Sequence, residues 1–255
     1  METEFAIEEL GCVPYAEALE QMEKQVEARR SGAAGDTLFL LEHPPVVTLG
    51  RSGKLENLRL SPDELAARAV EVHWVRRGGD VTYHGPGQLV GYLVVDLAAR
   101  GMADVGVLLR GIEGALCEAL EWLGVSAATI PGYTGVFVAN TQPPRKIASI
   151  GVGLRGWVTY HGFALNVSLD PADFDMIVPC GLHDIKMTSI VWERDRVSHE
   201  WPFLSDRPPT AAAPIRELAC PNIAGGWPGI FDAAHAELAA AARASVAESF
   251  RRWLV

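Results

Sequence analysis

The chain has 255 residues, of which 32 are acidic and 22 are basic, so its formal net charge is −10 at pH 7. This charge argues against a general electrostatic attraction to nucleic acid or to an anionic membrane surface. The longest apolar stretch, residues 89–95, is far shorter than the roughly 18 residues that a membrane-spanning helix needs. A chain of this length can bury a large core without disulfide bonds.

Four cysteines are scattered along the chain, with no CxxC pair and no Cys/His cluster at zinc spacing. The first residues are acidic, whereas a signal peptide begins with basic residues. We therefore expect unpaired cysteines, no metal site and a cytoplasmic location.

Residues 13–75 alternate helical and extended patterns. Apolar residues at helical spacing predict a helix over 13–30. Short apolar runs predict strands at 37–41 and 46–49. Ser61, followed by Pro62 and two acids, is typical of a helix N-terminus and predicts a short helix ending near residue 69. A further strand is expected at 70–75.

A glycine-rich segment, residues 76–92, comes next and leads into a buried strand. A long helix and three strands joined by short turns follow, and then a short helix capped by Asp170. Residues 198–228, rich in proline and alanine, predict an irregular excursion. The predicted elements are strands at 89–97, 134–139, 147–154 and 158–167, and helices at 103–123, 171–177 and 232–254. Short turns between successive strands favour antiparallel pairing. We predict one α/β or α+β domain over 1–255, with a mixed sheet flanked by helices.

The glycine-rich segment combines five glycines with polar side chains, including Arg77, Thr82, Tyr83, His84 and Gln88. Glycines allow a ligand to approach the backbone closely, so this composition favours a binding loop over a simple hairpin. It matches neither the P-loop nor the GxGxxG pattern, so a nucleotide cradle is not supported.

Cys180 lies in a loop between a proline and a glycine, which is the setting of a candidate nucleophile. A thiol needs a neighbour that removes its proton or favours its thiolate. Lys146, His84 and His161 are candidates for that neighbour, and spacing does not choose among them. Taken alone, Lys146 at a strand end reads as solvated, and Asn166 inside a strand reads as a structural hydrogen-bonding residue.

Five blocks of sequence carry a resemblance to a known family. The block Arg77-Gly78-Gly79-x-x-Thr82-Tyr83-His84-x-x-Gly87-Gln88-x-x-x-Tyr92 resembles the signature of lipoyl(octanoyl) transferases, also called lipoate-protein ligase B. Similar blocks at residues 42–50, 146–151, 161–166 and 179–181 follow the family's order, and the match is strongest over 42–182. The resemblance implies a fold similar to the catalytic domain of biotin and lipoate ligases.

The resemblance also implies residue roles. Cys180 corresponds to the catalytic cysteine and Lys146 to the catalytic lysine, while His161 is a candidate orienting residue. The implied substrate-binding residues are Arg77, Gly78, Gly79, Asp80, Val81, Thr82, Tyr83, His84, Ser149, Ile150, Gly151, Gly162, Phe163 and Ala164. We expect Ile150, Phe163 and Leu165 to line an apolar slot, and backbone N–H groups near Gly78, Gly79 or Gly181 to stabilise an oxyanion.

The implied reaction moves an octanoyl group from octanoyl-acyl carrier protein to a specific lysine. Acceptors in the family are the lipoyl domains of 2-oxo acid dehydrogenase complexes and the glycine-cleavage H protein. A Cys180 acyl-enzyme thioester would divide the transfer into two steps, with no metal or other cofactor. Because carrier proteins are typically acidic, we expect a local basic docking patch containing Arg76, Arg77, Arg145 and Arg155.

Three alternative functions remain open at this point. A cysteine thioesterase would use water as the second nucleophile. An ATP-dependent lipoate or biotin ligase would form an adenylate and would not need Cys180. A non-catalytic module would only bind a carrier protein.

Overall fold

The computed structural model describes residues 5–179, 184–197 and 233–254. Its strands are β1 (Phe5–Cys12), β2 (Asp36–Glu42), β3 (Val46–Leu49), β4 (Glu71–Trp74), β5 (Val81–His84), β6 (Gln88–Val94), β7 (Ala127–Ala128), β8 (Val136–Val138), β9 (Arg145–Arg155), β10 (Val158–Asn166) and β11 (Lys186–Met187). Its α-helices are α1 (Tyr15–Arg30), α2 (Pro62–Ala67), α3 (Val105–Trp122), α4 (Ile190–Val197) and α5 (Ala233–Leu254). Two 3₁₀-helices span Leu55–Asn57 and Pro171–Met176.

The strands form a large sheet in the order β1-β2-β6-β10-β9-β8-β7, with β11 also paired to β9, and a small sheet in the order β4-β3-β5. β1 pairs with β2 in parallel, β11 pairs with β9 in parallel, and the other pairs of the large sheet are antiparallel. The predicted mixed sheet is therefore confirmed, as is the antiparallel pairing of its last long strands.

Helices cover both faces of the large sheet because side chains alternate along each strand. Leu38 and Leu93 face α3 and α5, whereas Phe39 and Tyr92 face α1. A third apolar cluster lies under the small sheet and includes Leu65 of α2. No helix within the described ranges is long and apolar enough to cross a membrane.

The predicted helices at 13–30, 103–123 and 232–254 are confirmed with small changes at their ends. Ser61 caps α2 through a reciprocal capping box with Glu64. In α3, Leu108 is fully buried in the core, while Leu109 is half-buried. Asp170 caps a 3₁₀-helix by accepting from the Ala172 N–H at 2.9 Å.

Six of the elements that the structure describes were not predicted: β1, β5, β7, β11, α4 and the 3₁₀-helix Leu55–Asn57. Cys12 is disulfide-bonded, so the expectation of four unpaired cysteines is wrong for this residue. The predicted excursion at 198–228 lies outside the described residues, and the single domain over 1–255 stays a prediction.

Candidate active-site cleft

A cleft of about 490 Å³, partly open to solvent, lies where the glycine-rich segment and β5 meet the large sheet. The cleft is lined by Tyr15, Arg77, Gly79, Asp80, Thr82, His84, Val90, Tyr92, Ser149, Ile150, Gly151, His161, Gly162, Phe163 and Ala164. Three sequence blocks that are far apart along the chain thus converge on one cleft.

Eleven of the fourteen residues predicted to bind substrate line this cleft, together with His161. Val81 and Tyr83 do not, because their side chains alternate with those of Thr82 and His84 and are buried in the cluster under the small sheet. Gly78 also lies outside the lining.

The glycine-rich loop is attached to β9 at close range. The Gly78 N–H donates to the Val152 carbonyl at 2.8 Å, so it is already committed and is not a free oxyanion donor. A Cβ added at Gly151 would lie 2.9 Å from the Gly78 carbonyl oxygen, and one at Gly50 would lie 2.3 Å from that of Gly79. These glycines therefore allow the loop to lie directly on its neighbours.

The Arg77 guanidinium is buried in the wall of the cleft, with 8% of the residue exposed. Its Nη2 donates to the carbonyl oxygen of Thr48 at 2.7 Å and to the Thr48 hydroxyl at 2.9 Å. Its Nη1 donates to the Gly78 carbonyl at 3.0 Å. Asp80 accepts from the Lys54 N–H at 3.1 Å and from the Asn57 amide. Both residues therefore hold the backbone around the cleft.

Three buried histidines beside the cleft are neutral. Burial lowers the pKa of His43 to about 4 and that of His161 to about 3, and it holds the pKa of His84 well below its usual range. The Arg77 charge lowers the pKa of His84 and His161 further. Burial also raises the pKa of Tyr15 to about 12. The cleft wall is thus poor in titrating charge near neutral pH.

The tautomers of two histidines follow from their partners. His43 Nδ1 lies 2.7 Å from the Val13 carbonyl, which can only accept, so Nδ1 carries the proton. His43 Nε2 then accepts from the Tyr92 hydroxyl at 2.8 Å. His84 Nδ1 donates to the Gln88 side-chain oxygen at 2.7 Å.

A buried hydrogen-bond chain leads from the cleft toward β11 and α4. The Gln88 amide donates to the Asn166 side-chain oxygen at 2.9 Å, and the Asn166 amide donates to the Thr188 carbonyl at 2.9 Å. The Thr188 hydroxyl donates to Glu193 at 2.5 Å. The structural interpretation of Asn166 agrees with these contacts.

Lys146 is buried, with 3% of the residue exposed, so the interpretation as a solvated strand-end lysine is wrong. Its Nζ donates to the Thr134 carbonyl at 2.9 Å and lies 5.7 Å from the centre of the Phe137 ring. On its other side, Met187 of β11 pairs with Lys146, and the Thr188 N–H donates to the Lys146 carbonyl at 3.0 Å.

Cys180 lies outside the described residues, but the chain on both sides of it is anchored. The Val178 N–H donates to the Asn57 carbonyl at 2.7 Å, and the Asn57 amide contacts Asp80 of the cleft. After Cys180 the chain returns at β11, beside Lys146. Cys117 is half-buried in α3, and burial raises the pKa of its thiol to about 11, as expected for an unreactive cysteine.

Two expectations for the surroundings of the cleft need correction. Leu165 is fully buried in the core with α3 and α5, so it does not line the cleft, unlike Ile150 and Phe163. Among the arginines expected to form a docking patch, Arg77 is buried, Arg145 and Arg155 are half-buried, and Arg76 is exposed.

The other two arginines of the expected patch are engaged in ion pairs. Arg145 makes a two-pronged contact with Glu193 at 2.8 and 2.7 Å, and Arg155 pairs with Glu27 at 2.8 Å. Exposed basic residues that were not predicted, Arg51 and Lys54, lie beside the loop instead.

Tyr15, Val90 and Tyr92 line the cleft without having been predicted to do so. Tyr92 stands in the quoted signature, so its signal was available. Tyr15 stands on the apolar face of α1, where spacing indicates only a core position. Within the described ranges, no group of three or more His, Cys, Asp or Glu side chains could hold a metal ion.

Comparison with known proteins supports a single family. Residues 14–201 match the model of the lipoyl protein ligase A/B catalytic domain. An octanoyltransferase of Solibacter usitatus is 51% identical over 176 residues, 69% of this chain and 78% of that protein. An octanoyltransferase of Acidobacterium capsulatum is 48% identical over 192 residues, 72% of this chain and 78% of that protein.

Solved structures with a similar fold are lipoate protein ligases. A bipartite lipoate protein ligase from Thermoplasma acidophilum has a TM-score of 0.52 at 19% identity, over 69% of this chain and 66% of that chain. A lipoate-protein ligase A bound with ATP has a TM-score of 0.50 at 17% identity, over 71% of this chain and 77% of that chain. At these identities the likeness shows the fold alone, and it confirms the predicted fold class.

Proposed function

The chain belongs to the lipoyl protein ligase A/B catalytic domain family, and we propose that it is an octanoyltransferase that acts in protein lipoylation. The observation that carries the proposal is the convergence of three predicted acyl-binding segments on one cleft. The octanoyltransferases that are about half identical to this chain support the same acyl group.

We further propose that the donor is octanoyl-acyl carrier protein. The acceptors would be lysines of the lipoyl domains of 2-oxo acid dehydrogenase complexes and of the glycine-cleavage H protein. The acyl chain would lie against Val90, Ile150 and Phe163, which supply apolar surface to the cleft. Because the neighbouring histidines are neutral, an apolar chain can bind beside them without removing water from a charged imidazole. A cytoplasmic location stays a prediction.

The proposed first step uses Cys180 and Lys146. The Cys180 thiolate attacks the donor thioester carbonyl, a new thioester to Cys180 forms, and the carrier's thiolate leaves. The Lys146 ammonium favours the Cys180 thiolate by charge and then gives a proton to the departing thiolate. The anchoring of the chain on both sides of Cys180, to the Asp80 side of the cleft and beside Lys146, supports this pairing.

In the proposed second step the acceptor lysine amine attacks the acyl-enzyme, and the Cys180 thiolate leaves. The neutral Lys146 amine takes the proton released by the attacking amine. An amide has formed, and the thiolate and ammonium are restored. Because the donor is already a thioester, no adenylate is needed. His161 lines the cleft and is proposed only to orient substrate or the loop that carries Cys180.

The proposal is tested by transfer of octanoate from octanoyl-acyl carrier protein to a purified lipoyl domain, with and without ATP. We expect transfer without ATP, abolished by Cys180→Ala and strongly reduced by Lys146→Ala. Cys117→Ser is the matched control and should retain the wild-type rate. A strict ATP requirement would indicate a ligase, and release of free octanoate with no acceptor preference would indicate a thioesterase.

A further inference from the structure

Glu113 is a charged residue on the core-facing side of α3. It lies among buried apolar neighbours such as Ile112 and Leu116, with 9% of the residue exposed. A carboxylate in such a place is costly unless it is hydrogen-bonded. The reaction proposed above gives it no role, so its contacts call for an explanation.

The carboxylate of Glu113 contacts the same peptide group that holds Lys146. The Gly135 N–H donates to Glu113 Oε1 at 3.0 Å. The carbonyl of that peptide, the Thr134 oxygen, accepts from Lys146 Nζ at 2.9 Å. The peptide is trans, so its N–H and C=O point in opposite directions and the two charged side chains lie on opposite sides of it.

The direction of these hydrogen bonds makes them mutually supportive. A carboxylate at the N–H end polarises the amide and makes its carbonyl oxygen a better acceptor for an ammonium. The nearby Arg145 makes a two-pronged contact with Glu193, so these two charged residues are paired with each other.

Gly135 is required for this arrangement. Its φ of +121° is rarely adopted by other residues. A Cβ at this position would lie 2.7 Å from Lys146 Cε and 2.6 Å from the Ala148 carbonyl oxygen. The lysine side chain therefore lies directly against the peptide that Glu113 holds.

We propose that Glu113 is a positioning residue: through the Thr134–Gly135 peptide it fixes the place of Lys146 Nζ for acyl transfer. This inference rests on the proposed function. In this role Glu113 acts by accepting the Gly135 N–H hydrogen bond, which needs a side-chain oxygen at the present position of Oε1.

The test compares three substitutions of Glu113 in the transfer assay. Glu113→Gln keeps an acceptor oxygen at the same reach and should retain most of kcat. Glu113→Leu leaves the Gly135 N–H without this acceptor and should lower kcat about tenfold, a change that corresponds to about 1.4 kcal/mol, the size of one lost hydrogen bond. KM for the carrier-bound donor should not change, because Glu113 does not line the cleft. Exposed Glu121 on the same helix provides the control Glu121→Gln, which should have no effect.

Glu113→Asp tests whether the position of the oxygen or its charge matters. It also provides the test if Glu113→Leu does not fold. It keeps the charge but withdraws the oxygen by one methylene, so its kcat should fall below that of Glu113→Gln. A kcat for Glu113→Asp equal to or above that of Glu113→Gln would overturn the proposal.

A double-mutant cycle with Lys146→Met gives the second readout. If Glu113 acts through Lys146, adding Glu113→Leu to Lys146→Met should lower the residual rate no further. A full additional tenfold loss, or an unchanged kcat in Glu113→Leu alone, would overturn the inference about Glu113. Full activity of Lys146→Met would instead overturn the proposed role of the lysine itself.

Discussion

The buried histidines beside the cleft should make the folded chain sensitive to mild acid. His161 has a pKa of about 3 in the folded chain, and His43 has one of about 4, against about 6.5 when unfolded. Between these values the unfolded chain binds a proton that the folded chain does not. Stability is therefore fully present above about pH 6.5 and is lost as the pH falls.

The expected size follows from these values. Between pH 7 and pH 5, each histidine that stays neutral in the folded chain lowers the free energy of unfolding by about 2 kcal/mol. His43 and His161 together cost about 4 kcal/mol, a large part of the roughly 5–15 kcal/mol that is typical of a folded domain. His84, whose pKa is also lowered by burial, acts in the same direction. Asp173, whose pKa is raised by burial to about 6, acts in the opposite direction. A comparison of two variants at each pH removes that contribution.

The perturbation is His161→Asn, because asparagine tolerates the φ of +54° at this position. Urea unfolding followed by tryptophan fluorescence at pH 7 and pH 5 gives the loss of stability for each protein. The wild-type chain should lose about 2 kcal/mol more than His161→Asn over this interval. Gly114→Ala, at an exposed helix position without a titratable group, is the control and should leave the loss unchanged. Equal losses for wild type and His161→Asn would show that His161 does not stay neutral in the folded chain at pH 5.

Three further predictions follow from packing and charge. Gly151→Ala places a Cβ 2.9 Å from the Gly78 carbonyl oxygen, so it should displace the loop and raise KM for the acyl donor; an unchanged KM would contradict the packing argument. Gly114→Ala meets nothing within 4 Å on an exposed helix position, and it should raise the free energy of unfolding by roughly 0.5–1 kcal/mol in the same urea assay, with activity unchanged. Arg51→Glu with Arg76→Glu should raise KM for the carrier-bound donor and weaken its dependence on salt, measured at low and high ionic strength; an unaltered salt dependence would exclude these arginines from docking.

The three long helices, α1, α3 and α5, were predictable because their apolar residues recur at helical spacing over four or more turns. The strands that were missed are short or atypical. β5 lies inside a glycine-rich run, and β11 has two residues. β1 carries acidic residues at Glu8 and Glu9, which conceal its pairing with β2. Strand pairing between distant segments is not encoded in any local pattern.

Most of the residues predicted to bind substrate lie together because three sequence blocks fold onto one cleft, and their roles stay predictions. Which charged side chains are buried could not be predicted from the sequence. The sequence favours a solvated strand-end position for Lys146 and a place in a docking patch for Arg77, but both residues are buried in the folded chain. Arg145 is paired with Glu193, 48 residues away, so neither its engagement nor its absence from a docking patch is visible locally.

The most direct test of the proposed reaction is the mass of the intact protein after mixing with octanoyl-acyl carrier protein without ATP. We expect one added octanoyl group, located on Cys180 by peptide mapping, which disappears when a lipoyl domain is added and reappears on a lysine of that domain. Cys117→Ser should carry the same adduct, and Cys180→Ala should carry none. Transfer to the lipoyl domain at full rate by Cys180→Ala, with no acylated protein at any time, would show that transfer does not pass through a Cys180 thioester.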